Sequence, residues 1–187
     1  MRTSLKEWGD TIPKDAFFGR ADIVGVVVIP ARFRKIENAI LNQYGDWTSG
    51  AFQGCSGLTE VRLPDALTEI GDGAFWGCSG LTEVRLPDTL TEIGDGAFHG
   101  CSRLTKLRLP DTLTEIGAYA FDGCSGLTEL RLPDTLAEIG KGAFAKCSGL
   151  ELLRLPGSIE SLGALAFSGC TSLRLCLLYT SPSPRDS

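Results

Sequence analysis

The sequence predicts an α/β solenoid of stacked 23-residue units, each with parallel strand rows and one short helical turn. Three observations carry this expectation. Ala-Phe pairs stand at 51–52, 74–75, 97–98, 120–121, 143–144 and 166–167, all 23 residues apart. Between them runs one frame, A-F-x-G-C-S-x-L-T-x-[VL]-R-L-P-D-x-L-x-E-I-G-x-x. Each unit has too few apolar residues to form a core alone, so neighbours must share one. Full repeats are expected at 51–73, 74–96, 97–119, 120–142 and 143–165, with a partial one at 166–175.

Within the frame, Leu81, Val84 and Leu86 enclose Glu83 and Arg85. That in/out alternation marks a half-buried strand, and Pro87, with no N–H to donate, ends it. Leu90 and Ile93 predict a second short extended segment. Gly71, Gly94, Gly117, Gly140 and Gly163 recur in one column, expected to need a φ that glycine adopts at low cost. Ala97, Phe98, Cys101 and Leu104 have helical spacing and predict the helical turn. Stacked in register, Phe52, Phe75, Phe98, Phe121, Phe144 and Phe167 would form a spine, each pair adding about 0.5–1.5 kcal/mol beyond area burial.

The residues also carry a resemblance. The pattern L-x-x-[VL]-x-L-P-x-x-L-x-x-I-G-x-x-A-F-x-x-C-x-x-L, spanning residue 51 to about 175, resembles the BspA-like (Treponema-type) leucine-rich repeat family. The resemblance implies a right-handed leucine-rich-repeat solenoid. It also implies a surface or adhesion-type protein without catalysis of its own, whose ligands meet variable residues on a constant frame.

Residues 1–50 read as a degraded repeat that caps one end, with a separate functional domain as the alternative. Ile12 to Gly19 aligns with Ile93 to Gly100, Val26–Pro30 takes the strand's place one residue late, and Phe33 and Ile36 match Leu90 and Ile93. About eleven extra residues follow, and Ile36, Ile40, Leu41 and Tyr44 fall on one face of an expected short helix ending at Gly45. At the other end the frame dissolves into CLLYTSPSPRDS. This string resembles a translated sequencing adapter, so residues 176–187 are expected to be non-native, with a disordered tail as the alternative. On the first reading the natural chain runs on into further repeats.

A formal net charge of −5 argues against non-specific nucleic-acid binding, which relies on clustered Lys and Arg. No apolar run reaches the roughly 18–20 residues of a membrane helix, and no signal-peptide core follows Met1. The cytoplasm is the default expectation if Met1 is the true start, while the family resemblance allows the cell surface.

Catalysis and cofactors find no support in the sequence. His99 is the only histidine; it and Cys101 are expected to face apart on a short turn, which disfavours a Cys–His nucleophile pair, and one cysteine per rung cannot converge on a zinc ion. The GDG strings at 71–73 and 94–96 resemble calcium repeats, but one Asp per loop supplies too few oxygens. Six cysteines, at 55, 78, 101, 124, 147 and 170, hold one place in every unit. They read as free buried thiols; bridges between rungs fit the ~4.8 Å strand spacing but not the parallel direction of the side chains.

Information in a repeat frame sits where units differ. The column after Phe reads Gln53, Trp76, His99, Asp122, Ala145, Ser168 and is expected to face solvent or a partner, with drift at an exposed site as the alternative. The outward side of the first strand row carries Arg62, Arg85, Arg108, Arg131 and Arg154 beside Glu60, Glu83, Lys106 and Glu129. Cross-strand Glu–Arg pairing is expected to offset repulsion within the Arg column. In unit 97–119, Arg103 replaces Gly and Lys106 replaces Glu, so His99, Arg103, Lys106 and Arg108 are expected to gather with Arg85 and Arg131 as an anion-binding spot. The function expected is a non-enzymatic scaffold for a protein or glycan. The alternative is a structural spacer in a longer repeat protein, with no ligand of its own.

Overall fold

The computed structural model describes residues 9–20, 22–41 and 47–179 of the chain. They wind into a parallel β-solenoid with three distinct sides. The first side is the longer strand row. Gly25–Val28, Leu58–Arg62, Glu83–Arg85 and Lys106–Arg108 form one parallel sheet, and Glu129–Arg131, Leu152–Pro156 and Leu175–Tyr179 form another. The second side is one seven-stranded parallel sheet of two-residue strands, from Thr11–Ile12 through Glu92–Ile93 to Ser161–Leu162.

The third side corrects the expected helical turn: the described residues contain no helix. A helix spends successive N–H groups on its own turn. Here they alternate. Ala74, Trp76 and Cys78 donate to Gly71, Gly73 and Phe75 in their own rung, at 3.3, 3.1 and 3.1 Å. Gly73, Phe75 and Gly77 donate to Asp95, Ala97 and His99 in the next rung, at 2.8, 2.7 and 2.7 Å. Alternation requires left-handed residues where the chain reverses its donor direction, and Gly73 and Gly77 supply them at φ 59° and 71°. Apolar spacing identified the inward side chains but carried no information about where the amides point.

The recurrent Gly94 column exists for a different reason from the one expected. Its members do not have positive φ. They lie against the backbone of the preceding rung: a Cβ on Gly94 would stand 2.4 Å from Asp72 Oδ1 and 2.7 Å from Asp72 N. The space is filled by a relay in which Asp72 Oδ1 accepts the Asp95 N–H at 2.7 Å and Asp95 Oδ1 accepts the Ala118 N–H at 2.6 Å.

The core is continuous along the axis. Phe17 stacks on Phe52, and the series runs through Phe75, Phe98, Phe121 and Phe144 to Phe167 with centroids 4.8–5.5 Å apart. Ring planes stay within 7° of parallel from Phe52 onward, because one rung spacing sets both the strand ladder and the ring stack. Six cysteines of the repeat column are free thiols, five buried and Cys170 half-buried.

The ladder extends to both flanks of the repeats. Val27 pairs with Val61 and Val28 with Arg62 after an irregularity at Gly25/Val26, and Ile12 pairs with Ile36. The helix expected over the insert is replaced, where described, by strands: Ile40–Leu41 runs antiparallel to Trp47–Thr48. A two-residue arm with a paired backbone has no need of helical periodicity. Residues 42–46, including Tyr44 and Gly45, lie outside the described residues. At the other flank, Leu175–Tyr179 pairs in register with Leu152–Pro156. Residues 176–179 lie in this strand, since a strand edge offers backbone pairing whatever side chains the incoming segment carries. Residues 180–187 lie outside the described residues.

Candidate functional site

Strand alternation places Val84 and Leu130 inside and leaves Glu83, Arg85, Glu129 and Arg131 exposed. Because the rungs stack without offset, like meets like. Arg62 pairs with Arg85 and Arg85 with Arg108, Arg131 with Arg154, and Glu60 with Glu83. The expected cross-strand Glu–Arg pairing is not what offsets the Arg column. Arg62 Nε instead meets Glu60 Oε1 of its own strand at 2.7 Å, and Arg108 Nη2 meets Asp88 Oδ1 from the turn beyond the strand at 3.9 Å. Lys106 Nζ reaches Glu83 Oε2 across the ladder at 3.3 Å. All are exposed pairs, worth about 0–1 kcal/mol each. Among the described residues, Arg85 and Arg131 have no ion-pair partner.

These side chains edge an open groove of about 1270 Å³ that crosses four rungs. An Arg column runs along it with a mixed Glu/Lys column on one side and Asp65, Asp88 and Asp111 on the other. Five cationic and six anionic side chains line it, so it is a mixed-charge surface, not a basic patch. The expected anion spot is divided accordingly. Lys106, Arg108, Arg85 and Arg131 share the groove; Arg103 is exposed outside it, and His99 belongs to another side. Arg154 is half-buried one rung beyond the groove's lining.

His99 sits on the turn side, in a column that is less open than expected. Trp76 stacks on His99 with centroids 3.8 Å apart. His99 Nδ1 lies 3.4 Å from Asp122 Oδ2, and Lys146 Nζ approaches the same oxygen at 3.3 Å. Asp122 is only 4% exposed, a buried carboxylate in a position expected to face solvent. Ala145 is buried as well, Gln53, Trp76 and His99 are half-buried, and Ser168 is exposed. Side chains in register on successive rungs cover one another, which removes them from water without making them apolar. Burial, reinforced by the Lys146 charge, holds His99 below the ordinary histidine pKa despite the opposing pull of Asp122.

The cluster was missed because the column was read as outward-facing. One signal was present: Lys146 occupies the column of Gly54, Gly77, Gly100 and Gly123, and takes the same left-handed backbone at φ 55°. Among the described residues no group of three or more His, Cys, Asp or Glu side chains is arranged to hold a metal ion. No helix there is long and apolar enough to cross a membrane.

Comparison with known proteins adds the lineage. A family model described as the BspA type Leucine rich repeat region matches residues 46–174 in six copies. The T. pallidum Leucine Rich Repeat protein is 30% identical with a TM-score of 0.68, over 88% of this chain and 84% of that one. A leucine-rich repeat protein from Bacteroides ovatus is 36% identical with a TM-score of 0.68, over 81% of this chain but 39% of its own. A leucine rich cell surface protein from Faecalibacterium prausnitzii is 26% identical with a TM-score of 0.61, over 82% of this chain and 47% of its own. The chain thus spans less than half of the latter two. No curated protein sequence matches significantly.

Proposed function

The chain belongs to the BspA type leucine-rich repeat family, and we propose that it is a non-enzymatic scaffold that binds a protein or glycan along the groove of its longer strand row. One observation carries the reading: Arg85 and Arg131 line the groove without ion-pair partners among the described residues, beside carboxylates repeated at rung spacing. Guanidinium groups at fixed intervals present donors in a rigid fork, and the carboxylates present acceptors. Such a surface suits a ligand with its own spaced polar groups. The mixed charge and the net charge of −5 disfavour nucleic acid as that ligand.

On this reading the chain works in adhesion at the cell surface; the Faecalibacterium prausnitzii relative is a leucine rich cell surface protein. The test is to screen the full chain against a glycan array and a library of displayed surface proteins. The triple variant R85A/K106A/R108A is then measured against whatever is retained. A loss of tenfold or more in affinity is expected; unchanged affinity would remove the strand row from the reading.

A second reading, a structural spacer without a ligand, draws on the near-identity of units 51–73 and 74–96, which differ only at Gln53/Trp76 and Ala66/Thr89. Recent duplication leaves little room for a tuned site. Empty screens at micromolar chain concentration would favour it.

A further inference from the structure

We propose that the groove takes a peptide segment in the extended, left-handed polyproline conformation. Acidic side chains three residues apart on the segment meet Arg85 and Arg131, and a basic side chain between them meets Asp111. The proposal rests on the groove as the binding surface and names the chemistry of its ligand.

Charge selects the class of ligand. Three internal ion pairs, Arg62–Glu60, Lys106–Glu83 and Arg108–Asp88, neutralise equal numbers of both signs along the groove. Among the described residues, Arg85 and Arg131 are left over as cations, and Asp65, Asp111 and Glu129 as anions, none with an ion-pair partner. All five are exposed. A uniformly acidic polymer satisfies the arginines and is repelled by the carboxylates, while a neutral glycan answers neither charge. A polypeptide carries both signs on one chain, which is the complementarity this surface calls for.

Spacing selects the conformation. Arg85 pairs with Arg108 in the ladder, and Arg131 holds the same place one unit later. The two free arginines thus stand two rungs apart, about 9.6 Å at ordinary strand spacing. Side chains on one face of a β-strand recur about every 6.8 Å, which matches neither one rung nor two. In the polyproline conformation three residues make a turn and one face recurs about every 9.3 Å. Asp111 follows Arg108 on the intermediate rung and lines the flank of the Arg column. The two ligand residues between the acids project sideways at about 3.1 and 6.2 Å along the segment, on either side of that rung at about 4.8 Å. A base at one of them reaches Asp111. The segment also crosses a discontinuity, because Lys106–Arg108 and Glu129–Arg131 belong to different sheets and no ladder joins them.

A fluorescein-labelled dodecapeptide of repeated Glu-Pro-Lys, titrated with the full chain and read by anisotropy, is the test. Proline presets the required conformation and lowers the cost of ordering. This peptide is expected to bind at least tenfold tighter than repeats of Glu-Pro-Ser or Ser-Pro-Lys, each lacking one sign, and than alternating Glu-Lys, whose charges follow the strand period. R85E, R131E and D111K should each weaken it tenfold or more, and added salt should weaken it further. All three positions are exposed, and thermal unfolding checks that the variants fold. In amide NMR spectra, Glu83–Arg85 and Glu129–Arg131 should shift together, since the segment spans both sheets. Equal binding of Glu-Pro-Ser, no binding of Glu-Pro-Lys at millimolar peptide, or shifts confined to one sheet overturns the proposal. Polygalacturonate and dextran in the same assay separate it from the groove itself. A glycan that binds, and is lost in R85A/K106A/R108A, overturns the peptide and keeps the groove. Glu-Pro-Lys binding unchanged in R85E and R131E removes both.

Discussion

The thiol of Cys101 lies 3.3 Å from the carbonyl oxygen of Phe75, 26 residues earlier and one rung away. That carbonyl already accepts the Cys78 N–H of its own rung at 3.1 Å. Cys124 repeats the arrangement on Phe98 and Cys147 on Phe121, each at 3.3 Å. The cysteine column is thus a set of small apolar fillers that also donate weakly along the solenoid axis.

Removing one such thiol should cost stability without changing the fold. Cys101→Ala empties a fully buried site and is expected to lower unfolding free energy by about 1–2 kcal/mol, read from urea denaturation. The native thiols should also be inert. Burial raises them all, Cys147 to about 12, so almost no thiolate exists at pH 8. Of the six column thiols, half-buried Cys170 should be alkylated first by iodoacetamide in a mass-spectrometric time course. Equal rates at Cys170 and Cys101 would contradict the packing.

The two glycine columns should respond differently to alanine. Gly117→Ala places a Cβ 2.6 Å from Asp95 N, where only backbone can yield, and should cost about 2–3 kcal/mol. Gly100→Ala meets nothing closer than 3.8 Å but sits at φ 72°, so only backbone strain of about 1–2 kcal/mol applies. Thermal unfolding of both variants distinguishes crowding from conformational strain.

Glu92 lies in register between Glu69 and Glu115 on the short-strand sheet. Partial burial first, and then these two neighbours, raise its pKa above the usual carboxylate value. A carboxyl whose folded pKa exceeds its unfolded one loses stability as pH rises through that window and regains it as pH falls. Glu92→Gln is expected to stabilise the fold by about 0.5 kcal/mol at pH 7, the scale of a like-charge cross-strand pair. The gain should vanish near pH 4. A pH-independent difference in urea midpoint would assign the effect to something other than charge.

Sequence by itself determined the period, both strand rows, the Phe52–Phe167 spine and the inward cysteines. Each follows from alternation or from identity at 23-residue spacing, and stacking in register is the one arrangement that buries all these apolar positions together. Tertiary structure alone decided how neighbouring rungs meet. The direction of the Phe75 and Gly77 amides, the backbone pressed against Gly94, the break between Lys106–Arg108 and Glu129–Arg131 and the burial of Asp122 between His99 and Lys146 all depend on atoms about one rung apart in the chain. Differences of a few tenths of an ångström there separate a hydrogen bond from a gap, and a list of residue types does not encode them.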